Sequence, residues 1–329
     1  MTAPPRPTKP FVVARDDARV AQFKGAVAAI GNFDGVHRGH RAVIDIALAR
    51  AAALEAPAIA ITFEPHPRKV LRPSDPVFRL TDERSKLRLL AATGLTGALV
   101  LTFDAAFAAL TAEQFVARIL VGRLGIRGAT IGFDFHFGHE RQGSPKFLAA
   151  EGERYDFSVE TAPPLEDEGR PVSSSSIRAA LADGRVVEAA ELLGYPWFAA
   201  GPVISGDKRG RDLGFPTANI ALDPDCGLKH GIYAVRIGIG GLIRDGVASF
   251  GTRPTFDNGA PLLEVHIFDF SGDLYGAPLD VAFIGWIRPE LKFDSVEALI
   301  KRMDDDARLA RAALARAGNV FPPLGEVAS

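Results

Sequence analysis

Apolar and polar positions follow two different patterns along this 329-residue chain. In the first half, short apolar runs alternate with longer stretches in which apolar residues recur at helical spacing. This alternation predicts βαβ units, right-handed crossovers and a parallel sheet. The predicted strands are 26–30, 58–63, 98–103 and 129–133, and the predicted helices are 41–54, 82–92 and 112–121.

Two local signals support the predicted helices of the first half. Thr111 and Gln114 have the spacing of a capping box at the start of the third helix, and Gly94 is well placed to end the second. In open parallel sheets, ligands bind beyond the carboxyl ends of the strands, at the point where the strand order reverses. We therefore expect functional residues in the loops that follow the strands.

The second half has a different pattern. From Trp197 onward, short β-rich runs are separated by Gly, Pro, Asn and Asp, which is typical of an antiparallel barrel. A single helix follows, from Ser295 as N-cap to about Ala317. The predicted strands are 215–222, 232–239, 247–250, 262–270 and 279–287. We predict two domains, 11–185 and 186–329, with the boundary in the helical stretch before Tyr195.

Composition and charge narrow the class of protein. The formal net charge of −2 gives no sign of a nucleic-acid or membrane surface. Cys226 is the only cysteine, so an intrachain disulfide is impossible and a cysteine-based zinc site is disfavoured. No apolar run approaches the roughly 18 residues that span a bilayer, and the N-terminus reads as a disordered leader. A cytoplasmic enzyme is the expected class.

The segment GNFDGVHRGH, residues 31–40, carries the first chemical signal. It lies between a predicted strand and a predicted helix, where free backbone N–H groups and the positive end of the helix dipole attract phosphate. His37 and His40 can donate hydrogen bonds to phosphoryl oxygens without a covalent intermediate. A structural histidine pair in a tight βα loop is the alternative. The remaining predicted phosphate-binding residues of this segment are Gly31, Phe33, Asp34 and Gly35.

Two further segments of the first half bear on the same site. VSSSSIR places Ser173, Ser174, Ser175, Ser176 and Arg178 at a predicted helix start, where hydroxyls, N–H groups and a guanidinium can bind phosphates. An ordinary N-cap is the alternative. In the EPHP segment, Glu64, Pro65 and His66 are expected to form a loop, since two prolines disfavour a metal-binding helix face.

The segment GDKRGRDLGFPTANI, residues 206–220, carries the chemical signal of the second half. Thr217 offers a hydroxyl and Asn219 an amide oxygen, and both are hard ligands suited to Mg²⁺ beside a triphosphate. Glu264 lies in an apolar strand and is the candidate base for phosphoryl transfer to an alcohol; a solvent-facing edge residue is the alternative. The other predicted ATP-binding residues are Gly206, Lys208, Gly210, Arg211, Gly214 and Pro216.

At this point a family resemblance covers nearly the whole chain. GNFDGVHRGH and VSSSSIR resemble the phosphate-binding motifs of HxGH nucleotidyltransferases, and TFEPHP and IGFDFHFGHERQG are similar to the flavin adenylyltransferase domain of prokaryotic bifunctional riboflavin kinase/FAD synthetases. GFPTAN, FGTRPTF, LEVHIFDFSGDLYG and KFDS resemble the riboflavin kinase domain of that family, a six-stranded barrel. The resemblance implies a Rossmann-like α/β domain followed by a small barrel with a C-terminal helix.

The resemblance also implies an activity and residue roles. Riboflavin would be phosphorylated to FMN with Mg-ATP, and a second ATP would adenylylate FMN to give FAD and pyrophosphate. Thr217 and Asn219 would serve Mg-ATP, Glu264 would be the base, and Asp134 would lie near the adenine or flavin. A different adenylyl acceptor and a flavin-binding regulator stay open as alternatives. The expected partners are riboflavin, FMN and ATP, without nucleic acid or membrane, and weak self-association is left open.

Overall fold

The computed structural model describes residues 10–15, 17–167, 169–205, 215–252 and 261–328. Its backbone divides into two compact units. The described residues of 1–77, 81–173 and 323–329 form the first unit, and those of 78–80 and 174–322 form the second. The domain boundary predicted at 185/186 stays a prediction.

The first unit is built on a parallel sheet. In the described part of the chain its strands are β1 (Val12–Ala14), β2 (Val27–Ile30), β3 (Ala58–Glu64), β4 (Gly97–Thr102), β5 (Gly128–Gly132) and β6 (Ser158–Ala162). They lie in the order β1-β4-β3-β2-β5-β6, and every neighbouring pair is parallel. Every residue of β2 and β3 is buried, as expected of strands covered on both faces. The predicted parallel sheet is confirmed. Two short strands, β7 (Glu166–Asp167) and β8 (Arg170–Pro171), follow β6 and pair antiparallel with each other.

Helices connect these strands. They are α1 (Arg38–Ala53), α2 (Pro67–Leu71), α3 (Glu83–Ala91), α4 (Ala105–Ala108), α5 (Ala112–Phe115) and α6 (Pro145–Tyr155). The capping box of Thr111 and Gln114 is present at the start of α5. The predicted helix 112–121 is α-helical only to Phe115 and continues as a π-helix, Val116–Leu124. Gly94 lies in the turn after α3, which already ends at Ala91.

The order of the strands defines a switch point between β2 and β5. The chain runs from β2 outward to β3 and β4, and then returns to the other side of β2 with β5 and β6. The carboxyl ends of β2 and β5 therefore border a crevice in which open α/β sheets bind ligands. The segment 31–40 follows β2 and Asp134 follows β5, so both predicted regions lie at this edge.

The end of the chain packs on the first unit. Phe11 and Val327 form a parallel bridge, and the Ala328 N–H donates to the Phe11 carbonyl at 2.9 Å. The Gly325 N–H donates to the Arg88 carbonyl in α3 at 2.9 Å. This tail lies beside β1 and α3.

The second unit begins with two helices and continues as a barrel. The helices are α7 (Ser174–Ala182) and α8 (Val186–Leu193). The barrel strands are β9 (Phe198–Pro202), β10 (Ala218–Ala221), β11 (Gly231–Ile239), β12 (Leu242–Thr252), β13 (Pro261–Ile267) and β14 (Pro278–Arg288). In the described ranges they form one antiparallel sheet in the order β10-β13-β12-β11-β14-β9. The prediction of an antiparallel barrel is confirmed.

The terminal helix α9 (Val296–Arg316) is held on the barrel by buried arginines. Ser295 is its N-cap, as predicted. Arg288 forms a bidentate ion pair with buried Asp306, with its Nε 2.9 Å and its Nη2 2.5 Å from the two carboxylate oxygens. Buried Arg236 donates to the Leu314 carbonyl at 2.9 Å and forms an ion pair with Asp245 at 3.1 Å. Each charge is therefore compensated, which a buried guanidinium requires.

Candidate active sites

The loop after β2 has an unusual backbone. Phe33, Gly35 and Val36 all adopt positive φ angles of 51°, 82° and 37°. Glycine accepts such angles freely, whereas Phe33 and Val36 need the surrounding structure to hold them. Asp34 is buried and accepts the Thr81 N–H at 3.0 Å, and the Gly35 N–H donates to the Thr81 hydroxyl at 3.1 Å. Asp34 thus fixes the shape of the loop.

The two histidines lie face to face at the start of α1. Their ring centroids are 3.6 Å apart, with 19° between the planes. His37 is the N-cap of α1, and its Nδ1 accepts the His40 N–H at 3.3 Å. The proton of a neutral His37 ring then lies on Nε2, so that atom is a hydrogen-bond donor. Phe33 contacts His40 edge-on with a centroid distance of 5.3 Å.

His40 is held in its neutral form. Part of its surface is exposed, but the ring lies deep enough among protein atoms that burial lowers its pKa well below the ordinary value. Electrostatic interactions with His37 and Lys86 lower this pKa further. Its Nδ1 is buried and has no hydrogen-bond partner among the described residues. A neutral imidazole with a free ring nitrogen at a helix start is suited to an anionic ligand.

The start of the VSSSSIR segment approaches this pair inside the first unit. A Cβ on Gly39 would lie 3.1 Å from the His37 ring and 3.3 Å from the Val172 carbonyl oxygen, so glycine permits the close approach. Arg38 forms an ion pair with Asp167 at 2.6 Å. Val172 and the adjacent Ser173 therefore border the histidine loop.

The remainder of that segment belongs to the second unit. Ser174, Ser175 and Ser176 form the first turn of α7, as predicted for a helix start. Arg178 also lies in α7, and its Nε donates to the carbonyl of Phe78 within the same unit. The phosphate-binding roles of these four residues stay predictions.

The EPHP segment differs from the predicted loop. Pro67 begins α2, His66 is its N-cap, and the His66 Nδ1 accepts the Arg68 N–H at 3.2 Å. The expectation of a loop throughout is wrong, because a proline at the first helical position costs no hydrogen bond. Glu64 ends β3 and is buried, whereas Pro65 is exposed.

Sequence reasoning missed Lys86, which is buried in α3 at 3% exposure. Its Nζ lies 2.6 Å from Glu64 Oε1 and is also within reach of the Thr62 hydroxyl at 3.2 Å. A lysine at an otherwise apolar position of that helix was the available signal.

Asp134 lies beyond the end of β5 and is exposed. Its carbonyl oxygen accepts the ring N–H of His136 at 2.9 Å, so the histidine fixes the turn that presents the Asp134 side chain. The neighbouring Phe133 is 53% exposed, which leaves a free aromatic surface at the same edge of the sheet. This side of the crevice is suited to a planar ring system.

In the second unit, β10 and β13 bring the predicted chemical residues together. Asn219 lies directly opposite Glu264 in the β10–β13 ladder, and Ser249 of β12 lies opposite Glu264 on its other side. Directly opposed residues share a face, with their Cβ atoms about 5 Å apart. Thr217 precedes Asn219 by two residues, so an extended chain turns both side chains to the same face.

The Asn219 side chain is buried, and its Oδ1 has no hydrogen-bond partner in the described ranges. An orphan acceptor of this kind is costly unless a ligand satisfies it. His266 was also not predicted from the sequence. Its Nδ1–H donates to the Pro216 carbonyl at 2.9 Å, and this hydrogen bond fixes the segment that leads into β10. The other predicted loop residues, Gly206, Lys208, Gly210, Arg211 and Gly214, lie outside the described residues.

The oxygen donors of this face fit Mg²⁺. A hydroxyl, an amide oxygen without a partner and a nearby carboxylate are the hard ligands that this ion prefers. Within the residues that the structure describes, no group of three or more His, Cys, Asp or Glu side chains is placed to hold a metal. Magnesium would then be held by few protein atoms together with substrate phosphates, which is its usual mode.

In the described ranges, no helix is long and apolar enough to cross a bilayer.

A parallel sheet with a histidine pair at a helix start, together with a barrel that carries an acid and amide pair, is the arrangement expected of an enzyme of nucleotide chemistry. Family models agree: FAD synthetase matches residues 20–176 and riboflavin kinase matches residues 193–314. The bifunctional riboflavin kinase/FMN adenylyltransferase of Escherichia coli (strain K12) is 39% identical over 292 residues, which cover 88% of this chain and 93% of the relative. The protein of the same name from Pseudomonas fluorescens is 41% identical and is covered to 94%.

A solved structure extends the likeness to three dimensions. A crystal structure described as a macrolide-efflux protein from Streptococcus pneumoniae has a TM-score of 0.77 and 33% identity, with 88% of this chain and 94% of that chain covered. The chain belongs to the family of bifunctional riboflavin kinase/FMN adenylyltransferases. Both activities predicted from the sequence, which together give FAD, are confirmed by this membership.

Proposed function

We propose that each unit carries one of the two activities at its own site. Adenylylation of FMN belongs to the carboxyl edge of the parallel sheet, and phosphorylation of riboflavin belongs to the β10–β13 face of the barrel. One observation carries this assignment. Among the described residues, each unit has a buried polar atom without a hydrogen-bond partner at its proposed site: His40 Nδ1 in the first unit and Asn219 Oδ1 in the second. Both atoms are suited to an ATP-containing ligand.

In the adenylyltransferase site, the ATP phosphates lie against the start of α1. His37 Nε2 and the backbone N–H groups at the start of that helix donate to phosphoryl oxygens, where charge builds as pyrophosphate leaves. Gly31, Phe33 and Gly35 shape the loop. The family motif, and not the geometry, assigns Ser173 to Ser176 and Arg178 to the ATP phosphates. Glu64, Pro65, His66 and Asp134 border the flavin or adenine. These roles rest on the geometry of the loop and on the family motifs.

In the kinase site, Glu264 acts as the base that orients the 5′-hydroxyl of riboflavin. Thr217 and Asn219 hold Mg²⁺, which neutralises phosphate charge when it is bound. Gly206, Lys208, Gly210, Arg211, Gly214 and Pro216 are proposed to contact ATP. The matched pair of Asn219 and Glu264 on adjacent strands supports this role, since it fixes the distance between metal ligand and base.

The kinase product FMN is the adenylyltransferase substrate, so the reactions run in that order with two ATP molecules. We place both reactions in the cytoplasm, and riboflavin, FMN and ATP are the proposed partners. We also propose that the boundary between the two domains lies between residues 185 and 186, and that the protein self-associates weakly.

Chromatographic separation of flavins tests it directly. The pure protein is incubated with riboflavin, ATP and Mg²⁺, and samples are withdrawn over time. FMN first and FAD later is the expected result. FMN alone would favour an adenylyl acceptor other than FMN, and flavin binding without any product would favour a regulator.

A further inference from the structure

Lys86 binds four oxygen atoms at the carboxyl ends of β2 and β3. Its Nζ lies 2.6 Å from Glu64 Oε1, 3.2 Å from Thr62 Oγ1, 3.3 Å from the Phe63 carbonyl and 3.4 Å from the Asn32 carbonyl. Thr62 Oγ1 also donates to the Asn32 carbonyl at 3.1 Å. One ammonium group thus ties the end of β3 to the first peptide of the histidine loop.

The position of the Asn32 carbonyl matters for the loop. It belongs to the peptide that leads into Phe33, where the backbone enters the left-handed region. The ring of Phe33 in turn contacts His40. A second brace comes from Thr81, five residues before Lys86, which holds Asp34 and Gly35. The start of α3 therefore supports the loop at two points.

Stability alone is a weak reason for this ion pair. Removing a lysine and a glutamate from water costs several kcal/mol per ion, and an apolar pair of similar volume is commonly as stable. The pair lies beside the switch point, and the positive charge acts on His40. A charge that shapes the loop and favours a neutral His40 accounts for the burial.

We propose that Lys86 is a positioning residue for adenylyl transfer, which holds the Asn32–Phe33 peptide and so aligns the stacked His37 and His40 rings with the ATP phosphates. The inference rests on the proposed role of the two histidines. Lys86 acts through the loop and the histidines.

The test uses the full chain, in which riboflavin kinase activity is an internal control for folding. Lys86→Met removes the charge at similar length, Lys86→Arg keeps it, and Lys86→Met with Glu64→Gln leaves no buried carboxylate unpaired. Glu64→Gln alone measures what the loss of that carboxylate contributes to the kcat of the double variant. Lys146→Met is the matched control, because Lys146 is an exposed lysine of the same unit. We measure kcat and KM with supplied FMN, the kinase rate and the thermal unfolding of each variant.

We expect Lys86→Met to lower the adenylyltransferase kcat by about 100-fold, the size of effect that follows a small misplacement of catalytic groups. The kinase rate and the rates of the Lys146→Met control stay unchanged. The double variant recovers thermal stability without recovering kcat, and Lys86→Arg recovers part of kcat. In Lys86→Met the acidic limb of the adenylyltransferase pH profile moves to higher pH, because the Lys86 charge no longer opposes protonation of His40. In the double variant this shift is smaller, because the Glu64 carboxylate, which favours protonation, is removed as well. The titratable and charged groups around His40 and its loop are His37 in the loop, Lys86 in α3 and Glu64 at the end of β3.

A double variant with both stability and kcat restored would overturn the proposal and leave Lys86 a purely structural role. An unchanged kcat in Lys86→Met would overturn it as well. Failure of the underlying site assignment gives a different result: His37→Ala would then keep its FAD formation.

Discussion

The two units solve the problem of holding an ATP-containing ligand in different ways. In the first, the chemical residues lie on a loop with three positive φ angles, and Thr81, just before α3, and Lys86, within α3, keep that loop in place. In the second, the strands themselves position the residues, because Asn219 and Glu264 are opposed in a regular ladder. A loop site depends on distant supports, whereas a strand site depends on register.

This difference has a consequence for mutation. In the first unit, residues that never touch substrate are expected to affect activity strongly, since the loop follows its supports. In the second unit, substitutions away from the ladder face are expected to change stability more than rate. The five predictions below test that contrast, from the largest effect to the smallest.

Glu264→Ala should remove riboflavin phosphorylation. Loss of a general base commonly costs about 100- to 10,000-fold in rate. Adenylylation of supplied FMN should be unchanged, because Glu264 lies in the second unit. Product analysis with riboflavin and with FMN measures both rates. Glu297→Gln, an exposed carboxylate at the start of α9, is the control. Retained kinase activity would remove Glu264 as the base.

His37→Ala should stop FAD formation while FMN formation continues. Removing one donor to a developing oxyanion costs about 100- to 1,000-fold in kcat. Flavin chromatography of the same sample reports both reactions, so the kinase product serves as the control. Loss of both activities would contradict the assignment of one site to each unit.

Asn219→Ala should raise the Mg²⁺ concentration that gives half of the maximal kinase rate. We expect an increase of at least about 10-fold, the lower end of what lost metal-site contacts cost. Titration of the kinase rate with Mg²⁺ provides the measurement, and Asn319→Ala, an exposed asparagine beyond α9, provides the control. An unchanged titration would mean that Asn219 binds no magnesium.

Acidification should destabilise the first unit through His40. The folded protein keeps His40 neutral because burial lowers its pKa well below 6.5, whereas the unfolded chain takes up a proton near that ordinary value. The unfolded state then binds more protons, so the free energy of unfolding falls as the pH drops below 6.5. Urea unfolding at several pH values, compared with His40→Gln, isolates this contribution. Identical pH dependence in the two proteins would contradict the neutral His40.

Thr111→Ala should give the smallest effect. It removes the capping box of α5, and loss of such a cap typically costs about 1 kcal/mol of stability. Neither reaction rate should change, because α5 carries no predicted site residue. Thermal unfolding combined with both assays tests this, and a large loss of FAD formation would show that α5 supports the loop.

The two patterns of the chain were sufficient to predict the classes of both units. Local rules fixed the N-caps at Thr111 and Ser295, because cap and first turn are adjacent in sequence. The helical start of α2 at Pro67 was missed, since two prolines suggested a loop. Strands β1, β6 and β9 were missed as well. β1 has only three residues, and β6 and β9 are partly exposed edge strands, so their hydrophobic patterns are weak.

The candidate sites were predictable where their residues form contiguous motifs. The histidine pair, the serine run and the threonine–asparagine pair are each within a few residues of one another. Lys86 could not be predicted, because its partners Glu64 and Asn32 are 22 and 54 residues away in the chain. The register that sets Asn219 against Glu264 likewise depends on the fold of the whole barrel.

The most direct test of separate sites is a mixing experiment. His37→Ala and Glu264→Ala proteins are incubated with riboflavin, ATP and Mg²⁺, first alone and then together, and the flavins are separated by chromatography. Our account predicts FMN alone from the first variant, unchanged riboflavin from the second, and FAD from the mixture. A mixture that forms no FAD, although each variant keeps its folded state, would contradict one activity at one site in each unit.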